Sequence, residues 1–248
     1  MAVIGLFDSG SGGLSVLREI RKVLPSGRFI YYADNAHCPY GEKSAAYIQD
    51  RARAITRLLL DKGAEAVVVA CNTATGAAIA TLREEFDVPF VGMEPAIKPA
   101  ALGTRSGVIG VLATAGTLKA SKYLNTKEMF QHDVRIEEHV GEGVVQLVES
   151  LQLDGPEAER VVRASLQPLL DAGADTIVLG CTHYPFLLPV IRRIAGPGVR
   201  VIDPAPAVAR QLLHILQERG IAEADPAPGV ELLSSGDPAS LRALAATL

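Results

Sequence analysis

Two segments of the chain deliver a cysteine in the same way. AEAVVVACNTAT places Cys71 after an apolar run, ADTIVLGCTHYP places Cys181 after another, and each thiol is followed by Asn or Thr and then a helical stretch. The thiolate is the reactive form of cysteine, and the unpaired N–H groups and dipole of a helix amino terminus favour it. Two matched acid/base groups are what a protein needs to take a proton from one face of a carbon and return one to the other. For either cysteine alone, plain burial of a small apolar side chain competes with this reading. Repetition in equivalent loops weakens that alternative.

The neighbours of the thiols extend the chemistry. Asn72, Thr73, Thr182 and His183 follow directly; Asn and Thr there are helix caps by default, which does not exclude contact with a ligand. His183, two residues beyond Cys181, is placed to orient or protonate a reacting group near neutral pH, the alternative being a hydrogen-bonded structural histidine. Asp8 and Ser9 close the first apolar run and open DSGSGG, whose glycines let the backbone bend and whose N–H groups can form an anion-binding nest. No Gly-Lys-Ser/Thr closes that loop and the third glycine of a dinucleotide fingerprint is missing, so nucleotide binding is weakly supported. The matching loop of the second half, Ala113 to Thr117, offers the hydroxyls of Thr114 and Thr117 instead. Cys38, Pro39, Tyr40 and Gly41 have the composition of a turn, and Cys38, without a counterpart, reads as a bystander thiol. His37, Cys38, Cys71, Cys181 and His183 include zinc donors, yet no Cys-x-x-Cys or matching histidine spacing supports a site, and no metal is expected.

These loops need strands to deliver them. Apolar β-branched runs (VIGLF, RFIYYA, AVVVA, VPFVGM, SGVIGVLA, VRIEE, TIVLG, VRVID) alternate with stretches such as LSVLREIRKVL and YIQDRARAITRLLLDKG, whose apolar residues recur three and four apart. Alternation of this kind predicts an α/β fold of parallel sheets flanked by helices, and unbroken runs such as AVVVA suit strands buried on both faces. The order of elements repeats: Ile4 aligns with Ile109, Cys71 with Cys181 and Glu94 with Asp203, at offsets between 105 and 110 residues. Chance similarity between α/β strands is the alternative; the matched punctuation after each strand favours duplication. The expected lobes are residues 1–95 with a returning tail, 207–248, and residues 96–206. Two such pseudo-symmetric sheets facing each other place their carboxyl-end loops, and the active site, at a shared cleft.

Composition bounds the rest. At 248 residues, 48% hydrophobic and 21% charged, the chain is an ordinary globular protein. A net charge of −4 with no run of Lys and Arg disfavours nucleic acid. MAVIGLFDSGSGG has no basic leader and breaks into glycines, so neither a signal peptide nor a membrane span is expected there, and three cysteines read as reduced thiols of a cytoplasmic protein.

In this order, FDSGSGGLSV, YYADNAHCPYG, ACNTAT, VGMEPAIKPA, GVLATAGTL, GCTHYPFL, IDPA and SSGDP resemble the cofactor-independent glutamate racemases of the aspartate/glutamate racemase superfamily. The resemblance implies a two-base proton transfer between L- and D-glutamate that supplies D-glutamate for the bacterial cell wall. In it Cys71 takes the α-proton of D-glutamate and Cys181 that of L-glutamate, with Asp8 beside the first thiol and His183 beside the second. By the same resemblance Ser9, Pro39, Tyr40, Gly41, Asn72, Thr73, Thr114, Thr117 and Thr182 line the glutamate pocket, and members are commonly homodimers. One segment departs: where many members carry ACPLFVPLVE, with a glutamate assisting the second cysteine, this chain has VGEGVVQLVE, in which Glu149 matches by its LVE ending. No cofactor is expected, since no lysine sits in these loops to hold pyridoxal as a Schiff base. The rival readings are an aspartate or other acidic-substrate racemase, and a non-catalytic two-lobed binder of small anions.

Overall fold

The computed structural model describes residues 3–222 and 227–247. Met1 and Ala2 of the amino-terminal segment and four residues of the returning tail, 223–226, with residue 248, lie outside them. Nine strands and eleven α-helices follow one another among the described residues. The first run is β1 (Val3–Asp8), α1 (Leu14–Val23), β2 (Arg28–Ala33), α2 (Ala45–Asp61), β3 (Ala64–Val69), α3 (Asn72–Glu85) and β4 (Phe90–Gly92). The second is α4 (Ile97–Ala101), β5 (Val108–Ala113), α5 (Ala115–Leu118), α6 (Ser121–Phe130), β6 (Arg135–Val140), α7 (Val144–Glu149), α8 (Pro156–Asp171), β7 (Thr176–Gly180), α9 (Leu188–Ala195) and β8 (Arg200–Ile202). The chain ends with α10 (Ala205–Arg219), β9 (Gly229–Ser234) and α11 (Pro238–Ala245).

The strands form two sheets, β4-β3-β1-β2-β9 and β8-β7-β5-β6, in which every pairing is parallel. With β5 to β8 taken as counterparts of β1 to β4, the two orders are identical. β9 extends the first sheet beyond β2, pairing Arg28 to Ala33 with Gly229 to Ser234.

Helices cover both sheets. On α2, Ile48, Ala52, Ile55 and Leu59 fall on one buried stripe. They join Phe7, Val67 and Val69 in a core on one face of the first sheet. A larger core includes Leu14, Leu17 and Ile20 of α1, Val144 and Val148 of α7, Val162 and Leu166 of α8 and Leu212 of α10, so it spans both sheets without interruption. A third, with Ile97, Val111, Tyr123 and Val178, covers the outer face of the second sheet. No helix among the described residues is long and apolar enough to cross a membrane. The carboxyl ends of the central strands β1, β3, β5 and β7 stop at Asp8, just before Cys71, at Ala113 and just before Cys181, and the functional site lies there.

Candidate active site

Cys71 leaves β3 in extended conformation and caps α3 itself: the Ala74 N–H donates to its Sγ at 3.4 Å. Its thiol lies 3.9 Å from the Ser9 hydroxyl. Burial, then the negative charge of Asp8, pushes the Cys71 thiol well above its ordinary range, while the Ala74 N–H pulls it back. Burial and Asp8 both favour the Cys71 thiol over its thiolate. Asn72 and Thr73 are thereby the first residues of the helix and not its caps.

Cys181 departs from the sequence expectation. The segment after it opens as a 3₁₀ turn, Tyr184–Leu187, with α9 starting only at Leu188, so no α-helix amino terminus faces this thiol. Its partner is the His183 ring, with Nδ1 at 3.6 Å from Sγ. The other ring nitrogen, Nε2, meets Glu149 Oε1 at 2.7 Å. Burial works to lower the His183 pKa, but the bonds with Cys181, Cys38 and Glu149 outweigh it and hold the ring well above the ordinary histidine range. Burial would raise Glu149, yet His183 and the two Ser11 donors bring it below its ordinary value. The result is a buried relay, Cys181 to His183 to Glu149, with an imidazolium favoured at its centre.

Glu149 is fastened from the opposite half of the chain. The Ser11 N–H donates to Oε1 at 2.6 Å, the Ser11 hydroxyl to Oε2 at 3.0 Å and the Asn35 amide to Oε2 at 2.9 Å. Asp8 is served across the same boundary: the Thr182 hydroxyl donates to Oδ2 at 2.9 Å, joined there by the Gly13 N–H at 2.5 Å, and the Ser9 N–H donates to Oδ1 at 2.6 Å. Burial raises the Asp8 carboxyl, against the opposing pull of His183 and these donors. The DSGSGG loop is thus a nest, but the anions it holds are the protein's own carboxylates. Its glycines serve a second purpose. A Cβ on Gly10 would strike the Glu149 carboxylate, and one on Gly12 would strike the His183 ring.

Between the two thiols lies a narrow cavity of about 10 Å³, room for about one water molecule. Ser9, Pro39, Tyr40 and Gly41 line one part; Cys71, Asn72 and Thr73 line another; Thr114, Cys181, Thr182 and His183 complete it from the second half. Asp8, Thr117 and Glu149 do not reach its wall. Thr117 instead bonds Thr73 at 3.3 Å and Thr114 at 2.9 Å, in a cluster closed by Thr73 and Thr114 at 2.9 Å. No Lys or Arg lines the cavity. Both polar atoms of the buried Asn72 amide lack any partner. Orphaned buried groups of this kind cost about 1–3 kcal/mol each, and a ligand carrying both donors and acceptors removes that cost.

Sequence reasoning passed over four residues. Val145 and Gly180 line the cavity, and nothing in their apolar runs marks them. Ser11 and Asn35 anchor Glu149, and a signal existed for both, since each lies just past the carboxyl end of a central strand. Cys38, read from the sequence as a bystander, sits beside the relay: its thiol, the His183 ring and the Glu149 carboxylate each offer a donor atom within 4.8 Å of the others. Of the five side chains weighed as zinc donors, only Cys38 and His183 belong to such a three-donor cluster among the described residues.

Known proteins resemble this chain over nearly its whole length. The chain is 50% identical to the glutamate racemase of Ectopseudomonas mendocina over 237 residues, which is 95% of this chain and 90% of that protein. Its fold superposes on the glutamate racemase isoform RacE1 of Bacillus anthracis with a TM-score of 0.87 at 34% identity, covering 99% of this chain and 93% of the other. The Escherichia coli glutamate racemase, solved with L-glutamate and the activator UDP-MurNAc-Ala, gives a TM-score of 0.85 at 37% identity, covering 97% and 92%. The Asp/Glu/Hydantoin racemase model matches residues 11–212. The chain therefore belongs to the Asp/Glu/Hydantoin racemase family.

Proposed function

We propose that this protein is a glutamate racemase that interconverts L- and D-glutamate without a cofactor, using Cys71 and Cys181 as its two bases. The observation that carries the reading is the pair of cysteines, brought by equivalent strands to the wall of one small cavity. Cys181 takes the α-proton of L-glutamate while Cys71 supplies one to the opposite face, and the roles reverse for D-glutamate. Asp8 positions the Cys71 side, while His183, charged with the help of Glu149, assists Cys181. The substrate carboxylates rest on backbone N–H groups, the Ser9 and Thr hydroxyls and the Asn72 amide, in the manner of an oxyanion site. Glutamate is preferred over aspartate because curated relatives at about 50% identity are glutamate racemases.

In the same reading the enzyme is a cytoplasmic homodimer whose D-glutamate feeds peptidoglycan synthesis. Residues 1–95 with 207–248 form one lobe and residues 96–206 the other. The test is incubation of wild type, Cys71→Ala and Cys181→Ala with each enantiomer of glutamate and aspartate in deuterated water, read by chiral chromatography and mass. Wild type racemises glutamate with α-deuteration, and each alanine variant loses at least about 100-fold in rate, the lower end for removal of a general acid/base. Substantial racemisation by either variant would sink the two-base assignment. No α-deuteration of any acidic amino acid would favour a non-catalytic anion binder.

A further inference from the structure

Next to the substrate cavity, and sharing Pro39 and Val145 with it, lies a wider opening of about 440 Å³ between the turn around Asn35 and Pro39, helix α7 and the start of α11. Cys38 and Glu149 both line it. Cys38, a half-buried free thiol, faces no reacting atom in the mechanism; it only joins Cys181 and Glu149 in holding the His183 ring above the ordinary histidine range. Yet Cys38, Glu149 and His183 each present one donor atom, and the three atoms lie within 4.8 Å of one another. They come from three separate segments and are chemically distinct: a thiol sulfur, a carboxylate oxygen and an imidazole nitrogen. Hydrogen bonds from Ser11 and Asn35 already hold Glu149 in place.

Sulfur, nitrogen and oxygen together match one class of ligand. Zinc binds such donors at about 2.0–2.3 Å in a tetrahedron, which sets donor pairs about 3.3–3.7 Å apart. No pair of the three donors is more than 4.8 Å apart, and His183 Nε2 and Glu149 Oε1, at 2.7 Å, must part by about 0.6–1 Å to reach that spacing. A thiolate and an imidazole select against calcium and magnesium, which take oxygen donors. We propose that Cys38, Glu149 and His183 form an inhibitory site for Zn²⁺, reached through the wider opening, with water as the fourth ligand.

Binding forms the Zn–S bond as the Cys38 proton passes to solvent, and it requires a neutral imidazole. Zn²⁺ on Nε2, the nitrogen that faces Glu149, takes the place of the proton that makes the ring an imidazolium; Nδ1–H still faces Cys181, but the Glu149–imidazolium pair behind it is gone. Because His183 also lines the glutamate cavity, inhibition is read as a fall in kcat/KM. This inhibition rests on the racemase reading; the binding does not.

The experiment uses the full chain, titrated with Co²⁺ as a spectroscopic probe and then with Zn²⁺ as competitor. Wild type, Cys71→Ser and Cys181→Ser are expected to show a thiolate-to-cobalt charge-transfer band at one Co²⁺ per chain, bleached by Zn²⁺. Cys38→Ser loses the band and, measured against its own metal-free rate, resists Zn²⁺ by at least about tenfold in half-inhibitory concentration. A chelator restores the wild-type rate. In wild type alone, Zn²⁺ also slows alkylation of Cys38, mapped by mass spectrometry, so the result does not depend on the folding of a variant. A band that survives Cys38→Ser, a band lost in Cys71→Ser or Cys181→Ser, or unprotected Cys38 overturns the proposal. A wild-type chain that shows the Cys38-dependent band but racemises nothing supports the cation site and removes the racemase reading instead.

Discussion

Replacing Glu149 with Gln keeps the shape of the side chain while removing the charge that favours a protonated His183. The carboxylate accepts four hydrogen bonds, from the Ser11 N–H, the Ser11 hydroxyl, the Asn35 amide and His183 Nε2. An amide has one acceptor oxygen, so its NH₂ must confront at least one of these donors. A charge-assisted hydrogen bond is worth about 1.5–3 kcal/mol, and at 1.36 kcal/mol per tenfold this is about a 10- to 150-fold loss in proton transfer at Cys181. Enantiomers have equal free energy in water, so kcat/KM must fall by the same factor in both directions. The asymmetry appears in the isotope effects. With transfer at Cys181 now the higher barrier, the primary effect on kcat/KM rises for α-deuterated L-glutamate, whose proton Cys181 removes. It falls for α-deuterated D-glutamate, whose removal by Cys71 becomes reversible. Equal changes in the primary isotope effect for the two enantiomers, or a kcat/KM within threefold of wild type, would refute the assignment of Glu149 to the Cys181 side.

Other perturbations probe separate parts of the site. Asn72→Ala deletes a buried amide with no protein partner, so the cost of about 1–3 kcal/mol per orphaned group goes with it and urea unfolding shows unchanged or raised stability, while kcat/KM drops about tenfold or more; a large destabilisation with normal kinetics would make Asn72 structural. Gly12→Ala drives a methyl group into the His183 ring, with an expected loss of about 1–3 kcal/mol in stability and most of the activity. A fully active, equally stable Gly12→Ala would contradict the tight fit. Stability should also depend on pH through the relay. Glu149 lies below its ordinary 4.5, so its contribution is present above that value and lost as pH falls through the lowered one. His183 lies well above 6.5, so its contribution is complete below 6.5 and lost as pH rises through the raised value. The Tm difference between wild type and Glu149→Gln is therefore widest between pH 4.5 and 6.5, and a difference independent of pH would argue against the ion pair.

The two sheets and their repeated order were legible because buried parallel strands leave unbroken apolar runs and because the punctuation after Cys71 and Cys181 recurs. The convergence of both thiols on one cavity follows from that topology. Less legible was what each loop does with its backbone. The glycines of DSGSGG suggested a nest for a ligand, whereas Ser9, Ser11 and Gly13 spend their N–H groups on Asp8 and Glu149. Composition cannot distinguish an internal anion from an external one, because the partner arrives from a distant segment. Cys181 followed by Thr and His looked like the start of a helix, but the chain turns through Tyr184–Leu187 before α9 begins. Cys38 lacked a repeat partner, and nothing local reveals that its neighbour is His183.

The interlock at the DSGSGG loop has a consequence for how such a chain can change. If the two halves descend from one ancestral unit, the equivalent loops began alike. One has since become a socket, the other half supplies the plug, and they are no longer interchangeable. Ser11 and Glu149 meet across 138 positions of sequence, so a methyl group gained at Gly10 is felt at a carboxylate encoded far downstream. Substitutions in the two halves are therefore expected to be accepted in compensating pairs, and a chimera joining the first half of one such protein to the second half of a distant relative should fold both sheets yet misfit at this loop.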